Sequence, residues 1–424
     1  MAGLARTLGF PSLTLYGVGI IVGAGVYSVL GEAAGLAGES VWLAFLVASV
    51  VALLTALSYA ELGTMYPEAG AEYVYLRKAV PRQSWLAFTV GIVLTVAAAA
   101  TAATVALAFE GYLGTFVDVP PSTAALGLIA ATTALNIIGL RLSTGVNVTF
   151  TLIEVAGLVA FVVVGMGHPK FGEALTAAPS AGVPAAAALL FFAYLGFEDI
   201  VNLAEEARDP SRTLPRAIFT AVGVTSVLYV AVGLAAVALA APADLAGSAS
   251  PLVDAAREEA PRIASALGGV ALFATANTAL IALVAGSRLL FGVARDGGLP
   301  RYLARVLPGR QTPWTAAALL GVMAAALVPL GDVGAVASLS SFAALVAFAC
   351  VNVAVIVLRY RAPERERPFR TPLSVGRFPV LAGAGALTAV ATLTRFTQAT
   401  WIGGGVALAG AGLLWLILGR SKRR

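Results

Sequence analysis

Charge is what this chain has least of. Asp, Glu, Lys and Arg make up 12% of its 424 residues, about half the share of a soluble domain. There is one cysteine, Cys350, and one histidine, His168. A lone cysteine excludes an intrachain disulfide, and one residue of each kind is too few for Cys/His zinc chemistry, so no metal site and no cofactor are expected. Short alternating segments with a polar lumen face are missing too, which excludes a β-barrel. The net charge of +5 does not signal a nucleic-acid partner; it follows from where the basic residues lie.

What the chain has instead is hydrocarbon. It is 59% hydrophobic, with a mean hydropathy of +0.91. Apolar runs of about twenty residues recur, the length that roughly 30 Å of bilayer core demands of a helix. Lipid offers no partners for backbone N–H and C=O groups, so such runs must be helices. Twelve spans are expected, near 11–36, 41–63, 84–112, 122–140, 143–166, 184–207, 214–241, 265–293, 313–330, 333–358, 378–395 and 400–419, with an amphipathic surface helix near 68–80. The first run begins almost at once. It is too long and too glycine-rich for a cleaved signal peptide, so it reads as a retained span.

The loops sort by charge. With both termini in the cytoplasm, 22 of the 27 Lys and Arg fall on the cytoplasmic side; Lys170, Arg257, Arg262 and Arg395 lie opposite, and Arg288 lies within a span. That asymmetry is the positive-inside rule. It supports both the span count and the orientation; the expected location is the cytoplasmic (inner) membrane of a prokaryote, in contact with lipid. The Arg cluster at 359–377 suits anionic lipid, although topology alone also accounts for it.

Two spans are interrupted. The first carries Gly17, Gly19, Gly23 and Gly25 in its middle. The sixth carries Phe191-Phe192-Ala193-Tyr194-Leu195-Gly196-Phe197 followed by Glu198 and Asp199, acids that suit the start of a new half-helix. Glycines also let membrane helices pack closely. A matching pair of broken spans, five apart, points instead to a transporter site on inverted repeats.

Four motifs carry a family resemblance. GVGIIVGAGVYSVLGEAAGLAG (17–38), YAELGTMYPEAGAEYVYLRKA (59–79), FFAYLGFEDIVNLAEEARDPSRTLPRAI (191–218) and SRLLFGVARDGGLP (287–300) resemble, in order, segments of the amino acid–polyamine–organocation superfamily. The chain departs from the family pattern at Ala71, where a second glycine is usual, and at Ala24, where many members have Ser or Thr. The resemblance implies an all-α membrane protein with a leucine-transporter-like fold. Residues 1–424 would form a single transporter domain, with 11–166 and 184–358 as two inverted repeats of five helices and 378–419 as two peripheral helices.

The resemblance also implies where substrate sits. Gly23, Ala24 and Gly25 would offer N–H groups to a carboxylate, and Ile21, Phe192, Ala193 and Leu195 would offer carbonyls to an ammonium. Half-helix ends supply such groups without charged side chains. Neither break itself contains an acid, which favours a neutral or aliphatic amino acid over arginine or lysine. The missing hydroxyl at Ala24 leaves an amine or polyamine as the alternative, and exchange or export remains open. Phe192 reads as a gate over the ligand or as core packing. The run Ala97–Ala103 reads as a widened pocket or a close-packing face.

Glu154 stands in the middle of the fifth span, where a carboxylate costs about 2.5 kcal/mol or more and usually marks a path or relay. By resemblance, a lysine or other group near this position can stand where sodium sits in sodium-coupled relatives. Glu154 reads as the coupling group, with protons favoured over sodium, or as a protonated acid bonded to loose backbone of the first span. Asn277 could support the first break or make an interhelical hydrogen bond. Thr275 and Thr278 are the oxygens a sodium site would draw on. Arg288 reads as structural. A membrane enzyme is the competing class, but His168 has no evident catalytic partner.

Overall fold

A run of apolar residues in lipid satisfies its backbone only by coiling, and most of this chain does so. The computed structural model describes residues 8–67, 71–139, 144–204, 207–310 and 312–421. Helices α1 (Phe10–Val22) and α2 (Gly25–Ala37) form the first expected span, and α3 (Val41–Met65) the second. The surface helix α4 (Ala71–Ala79) precedes α5 (Ser84–Leu113), α6 (Thr123–Ile138) and α7 (Thr144–Met166); the start of the expected 68–80 helix falls outside the described residues. After the short α8 (Phe171–Leu175), the stretch expected as the sixth span is α9 (Val183–Leu190), a 3-10 turn at Phe191–Tyr194 and α10 (Asp199–Asn202). Then follow α11 (Pro210–Leu239), α12 (Pro242–Ala246), α13 (Pro251–Arg257), α14 (Pro261–Arg295), α15 (Trp314–Leu327) and α16 (Val333–Arg361). A two-stranded antiparallel hairpin, β1 (Ser374–Val375) and β2 (Phe378–Pro379), leads to α17 (Val380–Leu393) and α18 (Gln398–Ser421).

Eight helical stretches among the described residues are long and apolar enough to cross a bilayer, and four shorter apolar helices accompany them. The protein is therefore an integral membrane protein. One stretch, Gly25–Met65, runs for 41 residues, about twice what a bilayer needs. It turns at Gly38, whose φ of +61° suits glycine.

Burial separates centre from rim. In Ser84–Leu113, 72% of the apolar window is buried, against 11% in Gln398–Leu418. Helix α5 is the hub, packed between α14 and α16, while α18 turns Ile402, Val406, Leu413 and Ile417 outward. The Ala97–Ala103 run resolves toward close packing. Ala99, Ala100, Ala102 and Ala103 share a buried cluster with Leu283 and Leu320, and the Ser340 hydroxyl donates to Ala97 O at 3.2 Å. Small residues bring membrane helices to this range.

A buried ionic knot ties the α3 end to the end of α16 and the segment after it. Glu61 accepts from Arg359 Nε (2.8 Å) and Nη2 (2.7 Å) and from the Thr371 N–H (2.8 Å), and Arg367 Nε lies 3.3 Å away. Close by, Glu72 of α4 accepts from the Tyr59 hydroxyl at 2.7 Å. Burial pushes the Glu72 carboxyl up, and that hydrogen bond partly offsets the shift. Removing one member of a buried pair strands the other charge, at about 3–5 kcal/mol. Glu61→Gln is expected to lower the midpoint of thermal unfolding in detergent by roughly 10 °C; an unchanged midpoint would mean the knot contributes nothing.

Candidate functional site

The first break begins where α1 runs out at Val22. Gly23 leaves helical geometry (φ −10°, ψ −137°), although its N–H still reaches Gly19 O at 3.1 Å. Ala24 returns to helical angles and α2 starts at Gly25. The new ladder opens with the Ser28 N–H donating to Ala24 O at 3.0 Å. The N–H groups of Gly25, Val26 and Tyr27 precede it, as the first donors of any helix must.

The second break is built differently. A 3-10 turn tightens the end of α9, the Leu195 N–H donates to Phe192 O at 3.2 Å, and Leu195 becomes extended. Gly196 then takes φ +116°, and a side chain there would also overlap Ile20. The expected acid is present but reaches back into the break: the Glu198 carboxylate accepts from the Gly196 N–H at 2.8 Å.

The two breaks touch. A Cβ on Gly25 would lie 2.6 Å from the Cα of Ala193, closer than backbone allows. Tyr229 of α11 joins them: its buried hydroxyl lies 2.6 Å from Ile21 O and 3.1 Å from Ala193 O, one proton shared between two carbonyls. Its ring is held by Phe45 and Tyr194, at centroid distances of 5.4 and 5.3 Å. From α14, Thr278 Oγ1 accepts the Ala24 N–H at 3.1 Å. With no hydroxyl at position 24, another helix supplies one.

Among the residues expected at the site, Ile21, Gly23, Ala24, Gly25 and Ala193 therefore meet at this junction. Phe192 and Leu195 lie in the same break, with Phe192 buried and its carbonyl already engaged within the turn. Asn277 is buried and its Oδ1 has no partner among the described residues; its neighbour Thr278 is the residue that reaches the break. Thr275 spends its hydroxyl on carbonyls of its own helix.

Glu154 is 1% exposed, and its Oε1 has no hydrogen-bond partner among the described residues. It sits one turn beyond Thr151, whose hydroxyl lies against Gly19 of α1. It is also within electrostatic reach of the Tyr27 and Tyr229 hydroxyls. Glu154 thus stands on α7, a helix packed against α1, one turn from the side chain that lies against Gly19.

Tyr229 escaped the sequence reading. Its one signal is a hydroxyl-bearing ring within the apolar run VLYVAVGLAA (227–236), which does not say what the hydroxyl meets. Tyr229→Phe leaves two buried carbonyls without their donor, at about 1–3 kcal/mol. It is expected to slow uptake by roughly tenfold in proteoliposomes matched for protein content. Uptake equal to wild type would remove Tyr229 from the site.

Comparison with known proteins gives the family. A family model described as amino acid permease matches residues 8–416. An uncharacterized transporter of Mycobacterium tuberculosis is 34% identical over 417 residues, covering 96% of this chain and 91% of its own. A methylthioribose transporter of Bacillus subtilis is 30% identical, covering 94% and 91%. A branched-chain amino acid permease of the same organism is 28% identical, covering 98% and 92%. The chain belongs to the amino acid permease family of the amino acid–polyamine–organocation superfamily. It is a transporter and not an enzyme.

Proposed function

We propose that this permease moves a neutral, aliphatic amino acid by alternating access, driven by protons, with the substrate held where the two broken spans meet. The observation that carries the reading is the junction: Gly25 against Ala193, with one tyrosine hydroxyl on carbonyls of both breaks. A zwitterion needs donors for its carboxylate and acceptors for its ammonium. The N–H groups of Ala24 and of the start of α2 supply the first and the carbonyls of Ile21 and Ala193 the second. In the conformation described, Tyr229 and Thr278 occupy several of these groups. Substrate would take their place as the breaks separate.

In this reading the chain has twelve spans, with α2 and α3 as arms of separate spans and both termini in the cytoplasm of a prokaryote. Residues 11–166 and 184–358 form the inverted repeats. The neutral cargo rests on the breaks offering no uncommitted acid, since Glu198, the one that reaches into the second, is engaged by the Gly196 N–H, and the branched-chain permease among the relatives supports it. Glu154 is the coupling group. Protonated, it can donate to nearby backbone or hydroxyl oxygen; ionised, it draws donors toward itself and favours another arrangement of the bundle. A ligand shifts such an equilibrium only through differential affinity.

The methylthioribose transporter among the relatives gives a second reading, a small polar non-amino-acid cargo. Uptake of radiolabelled leucine, valine, lysine, putrescine and methylthioribose into proteoliposomes, under imposed proton and sodium gradients, decides between them. Leucine or valine accumulation under an inward proton gradient is expected. Accumulation only of methylthioribose or putrescine, or only with sodium, would overturn the reading.

A further inference from the structure

Beyond α16 the chain folds around a cavity of about 390 Å³ lined by Arg359, Pro363, Arg365, Arg367, Arg370 and Arg377. Five of its six lining residues are arginines and none is acidic. Two of them form the floor. Arg359 is bidentate on Glu61, and Arg367 donates to the carbonyls of Leu358, Ala362, Pro363 and Arg365. Glu61 is thus one negative charge facing two buried cations. Burial, and after it the repulsion of Arg359 and Arg370, draws the Arg367 guanidinium below its usual range, against the pull of Glu61.

The other three form the wall. Arg365 stacks over the Tyr66 ring at 4.3 Å. Arg370 and Arg377 are exposed, and no carboxylate pairs with either among the described residues. Glu364 and Glu366 stand in the same loop, exposed, and neither forms an ion pair there. Topology explains positive charge at this end of the bundle, but not the convergence of five arginines on one hollow whose lining holds no acid. Guanidinium forks fit phosphate oxygens, often two bonds at a time.

The surroundings suggest where the phosphate comes from. The hairpin that carries Arg377 also exposes Leu373 (67%), Val375 (75%) and Phe378 (38%), and Tyr360 (52%) lies on the helix leading in. Apolar side chains set among arginines are the pattern of a membrane–water interface, and basic pockets at that level take anionic headgroups. The cavity is also roomier than a lone phosphate needs. We propose that it binds a phosphate-bearing anion, the headgroup of an anionic phospholipid, with Arg370 and Arg377 closing on the phosphate above the Arg359–Arg367 floor. This site stands apart from the helix breaks and does not rest on the proposed substrate.

The test uses the full chain and the double variant Arg370→Gln/Arg377→Gln, which leaves the Glu61 knot intact. Detergent-solubilised protein is mixed with equal amounts of phosphatidylglycerol and phosphatidylcholine, and lipid retention is read by native mass spectrometry. Wild type is expected to retain phosphatidylglycerol in preference by about tenfold, and the variant to lose that preference while unfolding at the wild-type temperature. A parallel arm with millimolar inorganic phosphate distinguishes the sources. If phosphate displaces the lipid and stabilises wild type but not the variant, the site recognises the phosphate group and a soluble anion can fill it. Equal retention of both lipids with no response to phosphate, or a variant that keeps the preference, overturns the proposal.

Discussion

Gly25→Leu is expected to leave a protein that inserts and folds but takes up substrate roughly a hundredfold more slowly, if at all. The reason is local. Even a methyl group at position 25 would press on the Cα of Ala193 at 2.6 Å, with Ala193 Cβ and O at 3.1 and 3.3 Å behind it. These are mainly backbone atoms, which cannot swing aside as the end of a long side chain can. The two breaks would be forced apart, and the leucine would fill the space in front of the first N–H groups of α2. Overpacking of this kind costs about 1–3 kcal/mol, an amount a large helical bundle can absorb while the site cannot. Gly25→Ala should fall between the two. The measurement is uptake and equilibrium binding at matched reconstitution. A folded Gly25→Leu protein that binds substrate with wild-type affinity would put the site elsewhere.

Glu154→Gln is the second large effect, and it concerns energy rather than binding. The glutamine has the shape of the protonated acid but cannot lose a proton. Exchange of labelled for unlabelled substrate should continue near the wild-type rate. Concentrative uptake driven by an inward proton gradient should disappear, leaving substrate equilibrated across the membrane. The buried Oε1, which has no hydrogen-bond partner among the described residues, motivates the assignment, since an ionisable group inside the membrane marks a path or relay by default. Wild-type uptake that ignores pH and requires sodium would reduce Glu154 to a structural acid. So would a variant that still concentrates substrate on protons.

Much of this fold was legible because the bilayer is a simple solvent. The expected spans at 84–112, 333–358 and 400–419 became Ser84–Leu113, Val333–Arg361 and Gln398–Ser421; length and hydropathy set both ends. The breaks were legible for another reason. Gly23 and Gly25 in mid-span, and acids directly behind Leu195-Gly196-Phe197, are local violations of a continuous apolar helix, and the backbone departs from the helix at those places.

Partners across the bundle were not legible. Tyr229 and Ile21 stand 208 positions apart, and Glu61 and Arg359 stand 298 apart; nothing near any of them announces the other. The sequence offers Asn277 as a support for the first break and Thr278 only as a sodium-site oxygen, yet Thr278 is the one that meets the Ala24 N–H. One position along a helix turns a side chain by about 100°, and that rotation decided between them. The Ala97–Ala103 run shows the same limit, since small side chains serve a pocket and a tight contact equally well until the facing helix is known. The Arg cluster was visible as charge, but a charge count cannot show that five guanidiniums line one cavity.

The claim at the centre of this account is that substrate binds between the two breaks, and substrate protection of a single cysteine tests it most directly. Ala24 is fully buried in the described conformation, so Ala24→Cys, in a Cys350→Ala background, can react with a small thiol reagent only when alternating access opens the junction. The account predicts slow alkylation of position 24 that blocks transport. The transported amino acid should suppress it, with half-protection near the concentration that half-saturates uptake. Alkylation that proceeds at one rate with and without saturating substrate, in a variant that still transports, would contradict it.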